Sequence, residues 1–383
     1  MIYLDNGATT FPKPCSVIKS VTDAMRLSGG NPGRGGHRST LLAGETVYKT
    51  REALSKMFGC ESEGVIFTNN CTSALNTAIK GVCADGGKIV ISSLEHNSVL
   101  RPVEKLSKKG AVTYATVKVN PLDDYETIKG FSEAVDGKTT AVVCTFASNV
   151  FGTVLPVEEI GRMCKEKGVV FIVDAAQAAG TFEIDMKRMN IDILCIPGHK
   201  GLYGPMGTGA MLLSGRVMPE ELTEGGTGSF SMEKDQPSVI PDRYESGTLN
   251  YPGIAGLYSG VQFVNDVGGV KAIHRYESEL IDVLKTDLSV IKSVKLYPYM
   301  DSTVKAPILS FNIGEYHSEE VAAALDKCGI AVRAGYHCAR LTHINHGTEK
   351  SGCVRVTPGF FNSKKDIKNF VFCCNKIAMK QKV

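Results

Sequence analysis

The sequence predicts an α/β fold: a large domain built on a mostly parallel seven-stranded sheet, with a smaller α+β domain beside it. Three observations carry this. Between about residues 40 and 215, short apolar β-branched runs alternate with amphipathic stretches, the order that gives a sheet covered by helices on both faces. Residues 225–252 then shift to Gly, Ser, Thr and Pro, the composition of a long functional loop. Beyond it helical and strand-like patterns return in a different rhythm. A chain of 383 residues is long enough for two hydrophobic cores.

In chain order the expected strands are Val65–Thr68, Ile89–Ser92, Val112–Thr116, Thr140–Thr145, Val169–Asp174, Ile191–Ile196 and Gly209–Leu213. Their β-branched, continuously apolar character is that of strands buried on both faces. Helices are expected at Cys71–Lys80, Val99–Lys109 and Pro156–Lys167 between them, then at Gly256–Val267 and Val270–Ile291. The C-terminal part offers a strand at Ile308–Ile313, a helix at Ser318–Lys327, a strand at Ile330–Arg333 and a last helix from Lys364. The large domain is expected over 15–255, and the small one over 1–14 with 256–383.

Composition narrows the function. Lys+Arg of 43 against Asp+Glu of 40 leaves a formal charge of +3 without a basic block, so neither nucleic acid nor a membrane is expected as a partner. No apolar run reaches the length of a membrane span, and the start Met1-Ile2-Tyr3-Leu4-Asp5-Asn6 has no signal-peptide pattern; a cytoplasmic location is expected. The 12 cysteines show no Cys-x-x-Cys spacing, so no metal is expected and most should be reduced, buried small hydrophobes.

The chemistry begins at Val169-Val170-Phe171-Ile172-Val173-Asp174, followed 26 residues on by the lysine of Pro197-Gly198-His199-Lys200. Asp174 ends a buried strand, at the edge where open α/β sheets bind ligands, and Lys200 follows the next one. Taken singly, the aspartate reads as a helix cap and the lysine as a solvated loop residue. Together they fit pyridoxal 5'-phosphate. That cofactor needs a lysine amine as Schiff-base partner and a carboxylate that keeps its pyridine nitrogen protonated. Asn70-Cys71-Thr72-Ser73-Ala74 opens a helix after a strand, where a phosphate is well placed. Glu95-His96-Asn97 follows another strand edge, where a histidine could stack on a ring and move protons.

These fragments, with Tyr3-Leu4-Asp5-Asn6-Gly7-Ala8-Thr9-Thr10, Ser148-Asn149-Val150-Phe151-Gly152, Asp174-Ala175-Ala176-Gln177, Gly204-Pro205, Glu245-Ser246-Gly247-Thr248-Leu249-Asn250 and Arg333-Ala334-Gly335-Tyr336-His337-Cys338-Ala339, resemble in order the class V aminotransferase family and, within it, the cysteine desulfurases. The resemblance runs nearly end to end and implies a fold-type I pyridoxal-phosphate enzyme. It makes Lys200 the Schiff-base lysine, Asp174 the partner of the pyridine nitrogen, Gln177 a donor to the ring phenolate oxygen and His96 the stacking residue. It puts Thr72 and His199 on the phosphate and Asn149 beside the cofactor. Thr248 would reach the phosphate of the neighbouring subunit, which implies a homodimer. Arg355 would hold the substrate carboxylate through a bidentate pair.

Cys338 decides the reaction type, because taking sulfur from L-cysteine requires a thiolate and transamination does not. The resemblance implies a persulfide on Cys338, release of alanine, and a protein that accepts the sulfur. Thiolate character governs such reactivity, so Arg333, His337 and Arg340 are the neighbours that matter. The 17 residues from Cys338 to Arg355 resemble the short catalytic loop of group II desulfurases.

Three positions depart from the group II pattern. Pro197 replaces a phosphate-binding serine, for which the amides around Gly225–Gly226 or a water would substitute; Tyr336 and Asn97 replace histidines. L-Selenocysteine therefore stands beside L-cysteine as a substrate. A selenocysteine lyase, a class V enzyme in which Cys338 is incidental, and a partner-binding protein that retains only the fold are the alternatives.

Overall fold

A computed structural model describes residues 1–33, 35–297 and 305–380. Its central sheet has seven strands, in spatial order Val65–Thr68, Gly209–Leu213, Ile193–Pro197, Val170–Asp174, Thr139–Thr145, Gly87–Ser92 and Val112–Val117. Gly209–Leu213 runs antiparallel to both neighbours, and every other pair is parallel. These are the seven expected strands, with ends shifted by a residue or two.

The alternation of a pleated strand explains why both faces are apolar. Phe171 and Val173 enter one core with Val142, Cys144, Leu194 and Ile196. Ile172 points the other way, with Ala141, Val143, Ile193 and Cys195. Helices Cys71–Val82 and Asn97–Lys108 cover the second face through Leu75, Ile79, Val99 and Val103. The first face is covered by Arg38–Phe58, Asp124–Ala134, Val157–Glu166 and Tyr251–Asp266.

The C-terminal part forms an antiparallel sheet in the order Arg333–Gly335, Cys353–Val356, Leu309–Ile313, Val294–Tyr297. Helices Gly269–Ser289, Ser318–Asp326 and Lys364–Met379 complete a separate core around Phe311, Val354 and Phe370. Ile2–Tyr3 adds a short parallel pair with Ile330–Ala331, and Leu4 is fully buried in that same core.

Three expectations change. The strand expected at Ile330–Arg333 is split, because its two halves pair with different partners, Ile2–Tyr3 and Cys353–Val356. Helix Tyr251–Asp266 crosses the expected division at 255/256 and buries Leu257 and Val261 against the large sheet. The helices Cys15–Leu27, Arg38–Phe58 and Asp124–Ala134 were not anticipated. Residues 225–250 are irregular apart from one 3-10 turn at Asp242–Tyr244. Among the described residues no helix is long and apolar enough to cross a membrane.

Candidate active site

A cleft opens at the C-terminal ends of the central strands, the place where open α/β sheets bind ligands. Thr72, His96, Asn149, Asp174, Gln177, His199 and Lys200 all line it, and so does Pro197. Seven expected site residues from five separate segments thus meet in one place.

Asp174, only 2 % exposed, ends its strand at the floor of the cleft. Its Oδ1 accepts from the Ala176 amide at 2.9 Å and from Cys71 Sγ at 3.4 Å, which leaves Oδ2 for a ligand. Burial pushes the Lys200 amine down to about 8, helped by the Arg355 guanidinium and opposed by Asp174 and Cys71. The lysine is therefore a far better nucleophile near neutrality than a solvated one.

The loop that presents Lys200 is held through its carbonyls. His199 O accepts from Lys13 Nζ (2.8 Å), Thr9 Oγ1 (3.0 Å) and the Thr10 amide (3.1 Å), and Lys200 O from Thr10 Oγ1 (3.2 Å). A glycine is required beneath it: Gly180 has φ +85°, and a Cβ there would lie 2.1 Å from Gly201 O. Burial lowers the pKa of His199 to about 4, with Lys200 and Lys13 adding to the effect. Its buried Nδ1 has no partner, an unsatisfied group of the kind a bound ligand completes.

His96 caps helix Asn97–Lys108. Its Nδ1 accepts from the Ser98 amide at 3.0 Å and lies 2.8 Å from Ser98 Oγ. With Nδ1 an acceptor, the neutral ring carries its proton on Nε2. Burial holds its pKa below the usual histidine value, with Asp174 pulling the other way. Ser98 Oγ is also 2.7 Å from Thr72 Oγ1, so one serine ties the expected stacking residue to an expected phosphate ligand. Asn70 Oδ1 caps the next helix by accepting from the Ser73 amide at 2.9 Å.

Gln177 Nε2 donates to Gly7 O at 3.0 Å, which leaves one amide proton for a ligand. Asn149 Nδ2 donates to His337 O at 2.7 Å. Arg355 is 1 % exposed. Its Nη1 donates to Asn149 O at 2.9 Å and its Nη2 to Asp5 Oδ1 at 2.8 Å, while the buried Nε has no partner. Cys338 is exposed, unlike the seven cysteines that are buried. It sits on a turn in which His337 and Cys338 both have left-handed φ, 50° and 56°, a conformation that costs non-glycine residues about 1–2 kcal/mol each. The turn is tethered to the cleft: Cys338 O accepts the Asn97 amide at 2.7 Å.

Thr248 is not brought to this cleft. It is exposed and lines a separate one with Thr68, Ser73, Ser246 and Asn250. The loop before it is anchored by Arg51, whose guanidinium meets the Glu245 carboxylate in a buried pair at 2.5 and 2.9 Å. Nor is the Gly225 amide free to replace the missing hydroxyl at Pro197, since it donates to Gln236 Oε1 at 3.0 Å. Sequence reasoning missed Lys13, Ser98, Cys71 and the role of Asp5. Asp5 and Cys71 do lie within the Tyr3–Thr10 and Asn70–Ala74 motifs, whereas no local pattern points to Lys13 or Ser98.

The residues fit pyridoxal phosphate: an amine with a lowered pKa, an open carboxylate oxygen opposite it, and an unpartnered imidazole beside a helix N-terminus. The family model described as "Aminotransferase class-V" matches residues 2–370. A relative from Methanothermobacter thermautotrophicus named "Probable cysteine desulfurase" is 32% identical, the match covering 96% of this chain and 92% of the relative. A "Cysteine desulfurase" from Yersinia pestis is 29% identical over 97% of this chain and 92% of its own length. The solved apo structure of a cysteine desulfurase from Thermococcus onnurineus superposes with a TM-score of 0.91 at 29% identity, covering 99% of this chain and 95% of that one. The chain belongs to the class V aminotransferase family.

Proposed function

We propose that this chain is a pyridoxal-phosphate-dependent cysteine desulfurase that converts L-cysteine to L-alanine and takes the sulfur onto Cys338 as a persulfide. The observation that carries the reading is one exposed thiol tethered by the Cys338 O bond to a cleft that already holds Lys200, Asp174 and His96. The names of the relatives support it.

When bound, the cofactor supplies an electron sink for the bonds at the substrate α-carbon. The chain's residues do the rest. Asp174 would offer Oδ2 to a protonated ring nitrogen, and neutral His96 would supply a ring for the cofactor to stack on. Lys200 would hold the cofactor through its amine and, when that amine is free, would take the α-proton on Nζ; a pKa near 8 suits it to both accept and return that proton. Arg355 holds the substrate carboxylate, with Asp5 and Asn149 O fixing the guanidinium. The Cys338 thiolate attacks the substrate sulfur: an S–S bond forms, the C–S bond breaks, and its electron pair remains on the carbon that becomes the alanine methyl after protonation.

Exposure of Thr248 away from its own chain's cleft supports its serving the neighbouring subunit's cofactor in a homodimer. Exposure of Cys338 supports hand-over of sulfur to an acceptor protein. The test is release of alanine and sulfide from L-cysteine with a reductant, parent against Cys338→Ala. Both products vanish in the variant while the yellow cofactor stays. Full sulfide release by the variant would remove the thiol from the mechanism. L-Selenocysteine run in parallel separates the lyase alternative.

A further inference from the structure

Beneath the turn that carries Cys338, three side chains from three elements converge. His337 lies on the turn itself, His343 on the short helix Arg340–Asn345, and Cys353 on the strand Cys353–Val356. All are buried, at 3 %, 1 % and 0 % exposure. One nitrogen or sulfur from each lies within 4.8 Å of the others. The two imidazole rings are nearly parallel, 13° apart with centroids at 6.0 Å, and Cys353 Sγ is 3.8 Å from His337 Nδ1.

The polar atoms are not satisfied by the protein. His337 Nε2 and His343 Nε2 are both buried without a hydrogen-bond partner, each at a cost of about 1–3 kcal/mol. The backbones of Arg333 and Tyr336 lie near these rings, but the two Nε2 atoms make no direct hydrogen bond to them. His343 is instead fixed from its other side, with Nδ1 2.8 Å from Thr348 Oγ1. An imidazole held by one nitrogen and bare at the other is how metal-ligating histidines are oriented.

We propose that His337, His343 and Cys353 form a binding site for a soft transition-metal ion of the zinc class. Two imidazoles and a thiolate select zinc or copper over magnesium and calcium, which prefer oxygen. Zinc bonds of about 2.0–2.3 Å place tetrahedral ligands about 3.3–3.8 Å apart, so the three groups close by about 1 Å around the ion. Binding releases the Cys353 thiol proton to solvent, and the thiolate offsets the guanidiniums of Arg333 and Arg355 nearby. The fourth position stays open for water or a sulfur ligand. Because His337 adjoins Cys338 in the left-handed turn, the ion pins the backbone that presents the thiol. The site does not depend on the desulfurase reading.

The experiment is a titration of the cofactor-loaded enzyme with zinc alone, by calorimetry in a phosphine reductant. The parent is expected to bind one ion per chain with proton release. His343→Gln and Cys353→Ser each weaken binding by more than about 100-fold, and Thr348→Ala by about tenfold. His343→Cys, which keeps a soft ligand, retains binding and shows that loss in His343→Gln is not misfolding. Cys338→Ala leaves the affinity within about twofold. Absence of binding to the parent overturns the site, as does unchanged affinity in both ligand variants. Loss of binding in Cys338→Ala alone assigns the ion to the exposed thiol and equally overturns it.

Discussion

The floor of the cleft and the Cys338 turn, which is tethered beside His96 through the Asn97 amide, obey opposite rules. Asp174 is buried at the end of a parallel strand and fixed through Ala176 and Cys71; Cys338 is exposed, on a strained turn whose backbone carbonyls are held by Asn97 and Asn149. Shifting the basicity of an amine requires removing water, which is why Lys200 belongs to the buried side. Delivering sulfur to another molecule requires access, which burial would deny. One active site thus needs two environments, and the chain builds them on different sheets.

That division is broken most severely at its buried pole. Lys200→Ala should abolish cofactor absorbance together with turnover, a spectrum being the readout. Cys338→Ala should cut sulfide release by more than about 1,000-fold, as losses of a nucleophile do, yet keep the absorbance; loss of both would mean that the two regions are one cooperative unit. Arg355→Lys sits between them. Losing the fork to a carboxylate should lower kcat/KM about 10- to 100-fold, mostly through KM, measured by steady-state alanine formation.

Subtler changes sharpen the contrast. The apo chain should regain pyridoxal phosphate faster as pH rises through about 8, because the neutral Lys200 amine is the reactive form. A solvated lysine would move that rise to near 10.5, and stopped-flow absorbance distinguishes them. Glu95, fully buried beside the cleft, has its pKa raised to about 8 by burial. Since the folded value exceeds the unfolded one, its contribution to stability is full below the unfolded pKa and is lost as pH rises through about 8. Glu95→Gln should therefore match the parent at mildly acidic pH and melt at a higher temperature in alkali. A constant offset at every pH would place the effect in packing.

Most of the buried region was legible in the sequence, because uninterrupted apolar runs such as Phe171-Ile172-Val173 mark strands packed on both faces. The seven strands and the meeting of Asp174 with Lys200 follow from that alone. Helix Arg38–Phe58 was hidden by Gly44 and by Thr40, Thr46, Val47 and Thr50, which are weak helix formers; packing of Val47, Leu54 and Phe58 overrides them. The split at Val332 and the clamp of Lys13 on His199 O are long-range pairings, to which no local pattern points. The cluster of His337, His343 and Cys353 escaped because its ligands follow no metal-site spacing along the chain.

The segment from Ile2 to Lys13 has a consequence for how the molecule is made. Leu4 needs a core supplied by residues beyond 280, Asp5 meets Arg355 across 350 residues, and Thr9, Thr10 and Lys13 hold the Lys200 loop. During translation these residues leave the ribosome hundreds of codons before their partners. Such pairings of high contact order close late. The segment that clamps the Lys200 loop thus finds its own core only with the C-terminal strands, so a chain interrupted before them carries Asp174 and Lys200 without the belt that aligns them.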